Sequence, residues 1–214
     1  MNAVSGSMKN PVWKIVHIGY LAKKRNPGGN HPWNGQACTS TLIETETRRI
    51  LVDPGLENTE DFRRILFQQT GYDPEDIDTV FLTHFHRHHW QSLPLFRKSA
   101  WLMARGEIRW WRRASLSEAE KDILARTVPA EEHPVPGIDI LPTPGHAHGL
   151  CSLMFETREG IVVVAGDAIL TFDHFDNREP SENAHDPREA RRSIDRIAKM
   201  ADIIVPGHDN YFVV

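Results

Sequence analysis

Cysteine is scarce in this chain. Its two thiols, Cys38 and Cys151, lie far apart in apolar, strand-like surroundings, without the spacing of a disulfide framework or a thiolate metal site. Both are expected to be reduced core residues. No apolar run is long enough to cross a bilayer, which excludes a membrane-spanning helix. An excess of positive charge is missing too. The 25 Lys and Arg stand against 29 Asp and Glu, a formal net charge of -4, so bulk attraction to nucleic acid is excluded while a local basic groove is not. Residues 1–10 are polar and small and lack the apolar centre of a secretory leader. They are expected to be a flexible N-terminus, and the protein to be cytoplasmic. Internal repeats of short period and low-complexity segments are also absent.

Histidine is plentiful, and its placement is informative. Four imidazoles, His84, His86, His88 and His89, fall within six residues directly after the apolar run Thr79-Val80-Phe81-Leu82. Neutral imidazole is the commonest protein ligand for first-row metals, and a strand end followed by a turn can aim several ligands at one point. A chance surface cluster would need no distant partners. Three are found: His146 in Thr143-Pro144-Gly145-His146, Asp167 at the tip of the run Ile161-Val162-Val163-Val164-Ala165-Gly166, and His208 in Pro206-Gly207-His208. Each comes where an apolar strand ends, so four strand ends would present ligands on a common rim.

At 214 residues and 40% hydrophobic content the chain can bury a large core, and a single domain over residues 11–214 is expected. Trp13 to Tyr20, Ala37 to Glu44 and Arg48 to Val52 read as strands, the last two as a hairpin ended by Asp53-Pro54-Gly55. Glu60 to Gln69 and Pro187 to Ala201 carry apolar residues at helical spacing, and Ser117 is a candidate N-cap. Trp90 to Phe96 is expected to be a short helix limited by Pro94. Lys23 to Gly35 and Phe172 to Pro180 read as loops that shape a pocket, with His31 and Trp33 as candidates to cover a substrate. His174 and His185 are expected to face solvent. Trp110 and Trp111, set among arginines, fit either a packed helix face or a stacking surface for single-stranded nucleic acid, and packing is favoured.

Taken together, the ordered set His84-x-His86-x-His88-His89, His146, Asp167 and His208 resembles the metallo-β-lactamase superfamily, over roughly Ala37 to the end of the chain. Ile50-Leu51-Val52-Asp53-Pro54-Gly55 is similar to that family's second-strand motif. The resemblance implies an α+β fold, an αβ/βα four-layer sandwich of two mixed sheets flanked by helices. It implies that His84, His86 and His146 hold one divalent metal, that His88, His89 and His208 hold a second, and that Asp167 bridges them. Zinc is the first choice, with iron or manganese as alternatives. The implied activity is hydrolysis of an ester, lactone or thioester of a small-molecule substrate, as in the glyoxalase-II, lactonase and RNase-Z type branches, with His88 and Asp167 as catalytic candidates.

The motif departs from the family at His88, where an aspartate is usual. That leaves one negative charge fewer at the site, which would either acidify the attacking water or weaken the second metal position. His88 and His148 are candidates to protonate the leaving group. Leu170 stands where many lactonases carry a tyrosine. The short tail also resembles the small metallo-β-lactamase domain-containing protein 1 group, to which nuclease activity is attributed, so a phosphodiesterase acting on nucleic acid is the alternative. A metal-binding sensor without turnover is a third reading. The Trp and Phe content is compatible with a homodimer.

Overall fold

The computed structural model describes residues 10–21 and 36–214. The expected loop from Lys23 to Gly35, with His31 and Trp33, lies outside the described residues, as do residues 1–9. The strands are β1 (Val12–His17), β2 (Ser40–Glu44), β3 (Arg49–Val52), β4 (Thr79–Leu82), β5 (Ala100–Met103), β6 (Val128–Pro129), β7 (Asp139–Pro142), β8 (Cys151–Thr157), β9 (Gly160–Gly166), β10 (Ile203–Pro206) and β11 (Phe212–Val213). The helices are α1 (Thr59–Thr70), α2 (Arg105–Trp111), α3 (Glu118–Arg126), α4 (Phe172–Asp176) and α5 (Pro187–Met200). Six strands form one sheet in the order β1-β2-β3-β4-β5-β6, and five form the other in the order β11-β10-β9-β8-β7. Both are mixed. The first runs antiparallel from β1 to β3 and parallel from β3 to β6, while in the second only β9 and β10 are parallel.

Strand periodicity explains why the central strands are continuous apolar runs. Successive side chains point to opposite faces, and here both faces are covered. In β4, Phe81 packs between the sheets with Val52, Leu153 and Val164, while Val80 and Leu82 face Phe62 and Leu66 of α1. In β9, Val162 and Val164 face the intersheet core, and Val163 and Ala165 meet Ile194 and Ile197 of α5. The result is helix, sheet, sheet, helix. Each fully buried Val, Leu, Ile or Phe contributes about 1.5–3 kcal/mol, so this double burial keeps β4 and β9 rigid up to their last residues.

Helix ends follow the local sequence. Asn58 caps α1 by accepting from the Glu60 and Asp61 amides, and Gly71 ends it in the left-handed region at φ 78°. Ser117 and Glu120 form a capping box at α3. Asp186 caps α5 just before Pro187.

Two expectations change. Trp90 to Phe96 is not an α-helix but contains a 3₁₀ turn at Leu93–Leu95, because Ser92 is held by Pro54 and Leu56, its amide donating to one carbonyl and its hydroxyl to the other. Phe172 to Pro180 contains the short helix α4, capped by Thr171, and His174 is half-buried against the Thr171 hydroxyl rather than facing solvent. Both cysteines are buried and free, as expected. Burial pushes the Cys151 thiol up to about 12 and also raises that of Cys38, so neither is a ready nucleophile. Among the described residues no helix is long and apolar enough to cross a membrane.

Candidate metal centre

The histidine cluster begins two residues past the end of β4, with Thr83 between. Thr83 fastens that end, its amide and hydroxyl donating to Asp53 Oδ1 and Oδ2 at 2.8 and 2.7 Å. Asp53, at the end of β3, also takes the Nδ1 of His89 on Oδ2 at 2.9 Å. With Nδ1 tied to a carboxylate, the His89 Nε2 lone pair is left facing the site. His84 is fixed in the same sense, its Nδ1 lying 3.1 Å from the Thr83 hydroxyl. A 3₁₀ turn at Arg87–His89 then brings His88 and His89 round to the same side as His84 and His86.

The other three residues arrive from the second sheet. His146 sits in the β7–β8 connection, where the Gly145 and His146 carbonyls accept from the Asp186 and His185 amides. Gly145 abuts Ala190 of α5 so closely that a Cβ there would clash with the helix backbone. Asp167 follows β9. His208 follows β10, its Nδ1 meeting the Ala37 carbonyl at 2.9 Å and its amide donating to Leu170 O at 2.7 Å. Gly207 leaves room for Asp167, since a Cβ on it would strike Asp167 Oδ1.

All seven predicted residues converge, in two donor sets that share one carboxylate: His84, His86, His146 and Asp167, and His88, His89, His208 and Asp167. In the first set, His86 Nδ1 lies 2.9 Å from His84 Nε2 and 3.1 Å from His146 Nε2, and Asp167 Oδ2 lies 3.2 Å from His146 Nε2 and 3.7 Å from His84 Nε2. Donors at 2.0–2.1 Å from a tetrahedral ion are about 3.3 Å apart, so these separations fit a zinc-sized cation. In the second set, Asp167 Oδ1 is 3.2 Å from both His89 Nε2 and His208 Nε2. Those three atoms are buried and have no hydrogen-bond partner among the described residues. Buried polar atoms left unpaired are costly, and a shared cation would satisfy all three. His88 is partly exposed, with Nε2 3.8 Å from Asp167 Oδ2 and Gln36 Nε2 2.9 Å from its Nδ1.

Electrostatics separate the two sets. Burial, followed by neighbouring imidazoles, holds His84 well below its ordinary value, and burial followed by His146 lowers His86 to about 3. Burial also lowers His88. His89 goes the other way. Burial pulls it down, but the carboxylates of Asp167 and Asp53 outweigh that and raise it well above its ordinary value. Burial alone would raise Asp167, yet the surrounding imidazoles, His89 and His208 first, hold its carboxyl well below the usual range. Metal binding needs an ionised carboxylate and neutral imidazoles, a state that Asp167, His84, His86 and His88 favour and that His89 reaches only by giving up a proton.

The sequence model of the Metallo-beta-lactamase superfamily matches residues 33–208, which include every one of these donors. The chain belongs to that superfamily. Among curated members it is similar to the N-acyl homoserine lactonase of Bacillus cereus, 28% identical over 78% of this chain and 79% of the relative. It is also similar to the Metallo-beta-lactamase domain-containing protein 1 of Xenopus laevis, 30% identical over 93% of this chain and 81% of the relative. Among solved structures, the lactonase AiiA of Bacillus thuringiensis with N-decanoyl-L-homoserine at its active site superposes with a TM-score of 0.69. That match is 24% identical and covers 95% of this chain and 94% of the other. Family and donor chemistry together make the protein a metallo-hydrolase that uses divalent metal.

Within this metallo-beta-lactamase fold, sequence reading missed the residues that aim the donors. Asp53 looked like a strand terminator, although its non-glycine backbone at φ 49° marks a held position. Glu107 gave no signal. It is buried and accepts from the Phe85 amide and Trp111 Nε1 on Oε1, and from the Gly149 amide on Oε2. It thereby ties the His84–His86 segment to the loop that carries His146. Glu107→Ala would orphan three donors, the Phe85 amide buried and the other two part-buried, and a loss of about 3 kcal/mol in urea unfolding is expected. An unchanged midpoint would show that Glu107 braces nothing.

The tryptophan pair divides. Trp111 packs against the core and sits edge-on to His86, whereas Trp110 is 44% exposed and lies against His148 and His185 beside the His146 loop. His148 is outside both donor sets. His185 is exposed, as expected.

Proposed function

We propose that the protein is a dinuclear metallo-hydrolase that opens an ester, lactone or thioester of a small-molecule substrate. His84, His86 and His146 would hold one ion, and His88, His89 and His208 the other. The observation that carries this reading is the buried carboxylate of Asp167 set between the two donor sets, with Oδ2 3.2–3.8 Å from His146, His84 and His88 and Oδ1 3.2 Å from His89 and His208. Zinc suits imidazole-rich, tetrahedrally spaced donors best, with iron or manganese as alternatives. Such a pair, when bound, supplies polarisation of the oxygen under attack and acidification of water. The chain's own residues do the rest. Asp53 and Thr83 fix which nitrogen each of His89 and His84 presents, and Asp167 keeps the two donor sets in register. His88, partly exposed, has its Nδ1 turned to the Gln36 amide at 2.9 Å, which orients the ring toward the second donor set. Leu170, buried beside His208, offers the substrate no hydroxyl.

The test is metal content together with a substrate panel of lactone, thioester and bis-aryl phosphodiester, run with zinc, manganese and iron separately. About two ions per chain and turnover of a carboxylic ester, lactone or thioester are expected. One ion per chain would sink the paired site, and full loading without turnover would favour the sensor. One observation favours phosphodiester cleavage instead: the exposed Trp110 stands on α2 with Arg109, and Arg112 and Arg113 follow directly after the helix, all three arginines exposed. Turnover of the phosphodiester alone would decide for it.

Acid should strip the two sets in order. His89 carries a proton in the metal-free protein, so loading the second set releases it, and affinity there falls as pH drops below the raised His89 value. The first set, with His86 lowered to about 3, resists protons much further. Dialysis over a pH series should show stepwise loss, and a single step would contradict the assignment. His88→Asp restores a carboxylate and is expected to tighten the second position by roughly ten-fold or more while changing the rate; if affinity and rate both stay constant, His88 has no electrostatic role.

A further inference from the structure

Away from the metal centre, the two sheets part to leave a cavity of about 210 Å³ beside β4. Its walls are the buried side chains of Ile50, Phe81, Leu102 and Leu153, and its mouth is the segment between β6 and β7. Thr79 and Phe81, which line it, lie on β4, and none of the seven donor residues is in its lining. An apolar cavity of roughly 150 Å³ is already enough to hold benzene. Here the space is larger, and it opens to solvent.

The mouth is acidic. Asp139 is exposed, and its carboxylate has no hydrogen-bond or ion-pair partner among the described residues. Glu131 also lines the cavity, and its two oxygens accept only from the Arg105 backbone amide, so its charge is not neutralised there. Arg105 spends its guanidinium on Glu132 at 2.7 Å. No Lys or Arg is in the lining. Arg48 reaches the Thr79 hydroxyl from outside the lining, at 3.4 Å.

We propose that this cavity is a second binding site, for a small amphiphilic amine whose alkyl or aryl body fills the space between the sheets and whose ammonium meets Asp139 and Glu131. Apolar walls select the body, and the two carboxylates, which outnumber the single histidine of the lining, His133, select the cation over an anion of the same length. The site lies beyond the hydrolytic centre and does not depend on its metals.

The test uses full-length, metal-loaded protein and three probes of equal chain length: hexylammonium, hexanol and hexanoate. Amide chemical shifts are followed by NMR, with hydrolase activity measured in parallel. Saturable shifts are expected at Ile50, Leu102, Ile138 to Ile140 and Leu153, with hexylammonium bound tightest and hexanoate weakest. Asp139→Asn should weaken hexylammonium roughly three-fold, the size of a solvent-facing ion pair, and leave hexanol unchanged. Ile138→Trp, at the half-buried rim, should close the cavity and abolish binding of all three while activity persists. Equal or tighter binding of hexanoate would overturn the proposal. So would shifts confined to the histidine cluster, an absence of saturable shifts, or unchanged hexylammonium binding in Ile138→Trp.

Discussion

Replacing Asp167 with alanine is expected to abolish hydrolysis and to reduce bound metal to one ion per chain or fewer. The residue is buried, and its two oxygens lie within 3.2–3.8 Å of donor nitrogens on five histidines. Removing it deletes the only carboxylate in either donor set and leaves those imidazoles facing one another with nothing to offset two cations. The fall in kcat should exceed the 10–100-fold typical of changes to residues that merely orient a ligand. Asp167→Asn keeps the shape, retains one oxygen and loses the charge, so it should lie close to alanine in rate. Metal content by elemental analysis and kcat on whichever substrate the panel identifies are the measurements. An alanine variant with two ions and more than a tenth of the activity would remove Asp167 from the centre.

Asp53→Ala is the second large effect, and it acts without any contact to substrate. Its carboxylate accepts from the Thr83 amide, the Thr83 hydroxyl and His89 Nδ1, all in a buried setting. Alanine would orphan those groups and would also be strained at φ 49°. A loss of about 3–5 kcal/mol is expected in urea unfolding of the metal-free protein. Metal affinity, by chelator competition, should fall about 10–100-fold, the second position suffering most because His89 loses the bond that sets its tautomer. Asp53→Asn separates the two effects. Asparagine tolerates the left-handed backbone, so it should recover much of the stability. It cannot accept from the Thr83 hydroxyl and His89 together while its amide faces them, so metal affinity should stay low. Natural affinity in that variant would contradict the orienting role.

Much of the centre was legible in the sequence because its donors are chemically unusual and sit at strand ends. Four imidazoles in six residues after Thr79 to Leu82 need no tertiary information to be noticed. His146, Asp167 and His208 each close an apolar run, and the structure brings all three to His84, His86, His88 and His89. The two-sided burial of β4 and β9 was equally readable, since an unbroken Val- and Ile-rich run can be stable only where both faces are covered. Reading failed where a residue's role depends on what lies across space. The stretch around Ser92 reads as helical until the Pro54 and Leu56 carbonyls capture it, and nothing local marks Glu107 as the acceptor of three donors from separate segments.

The sequence by itself therefore determined which side chains gather as candidate donors and the sandwich that carries them. Donor identity is a property of the residue, and strand periodicity is a property of the local chain. Only the tertiary structure decided how those donors divide. It set Asp167 Oδ1 toward His89 and His208 and Oδ2 toward His84, His146 and His88, and it gave His89 to Asp53 and His208 to the Ala37 carbonyl. Those assignments rest on distances of about 3 Å between residues far apart in sequence, and hydrogen bonds and coordination are sensitive to tenths of an ångström.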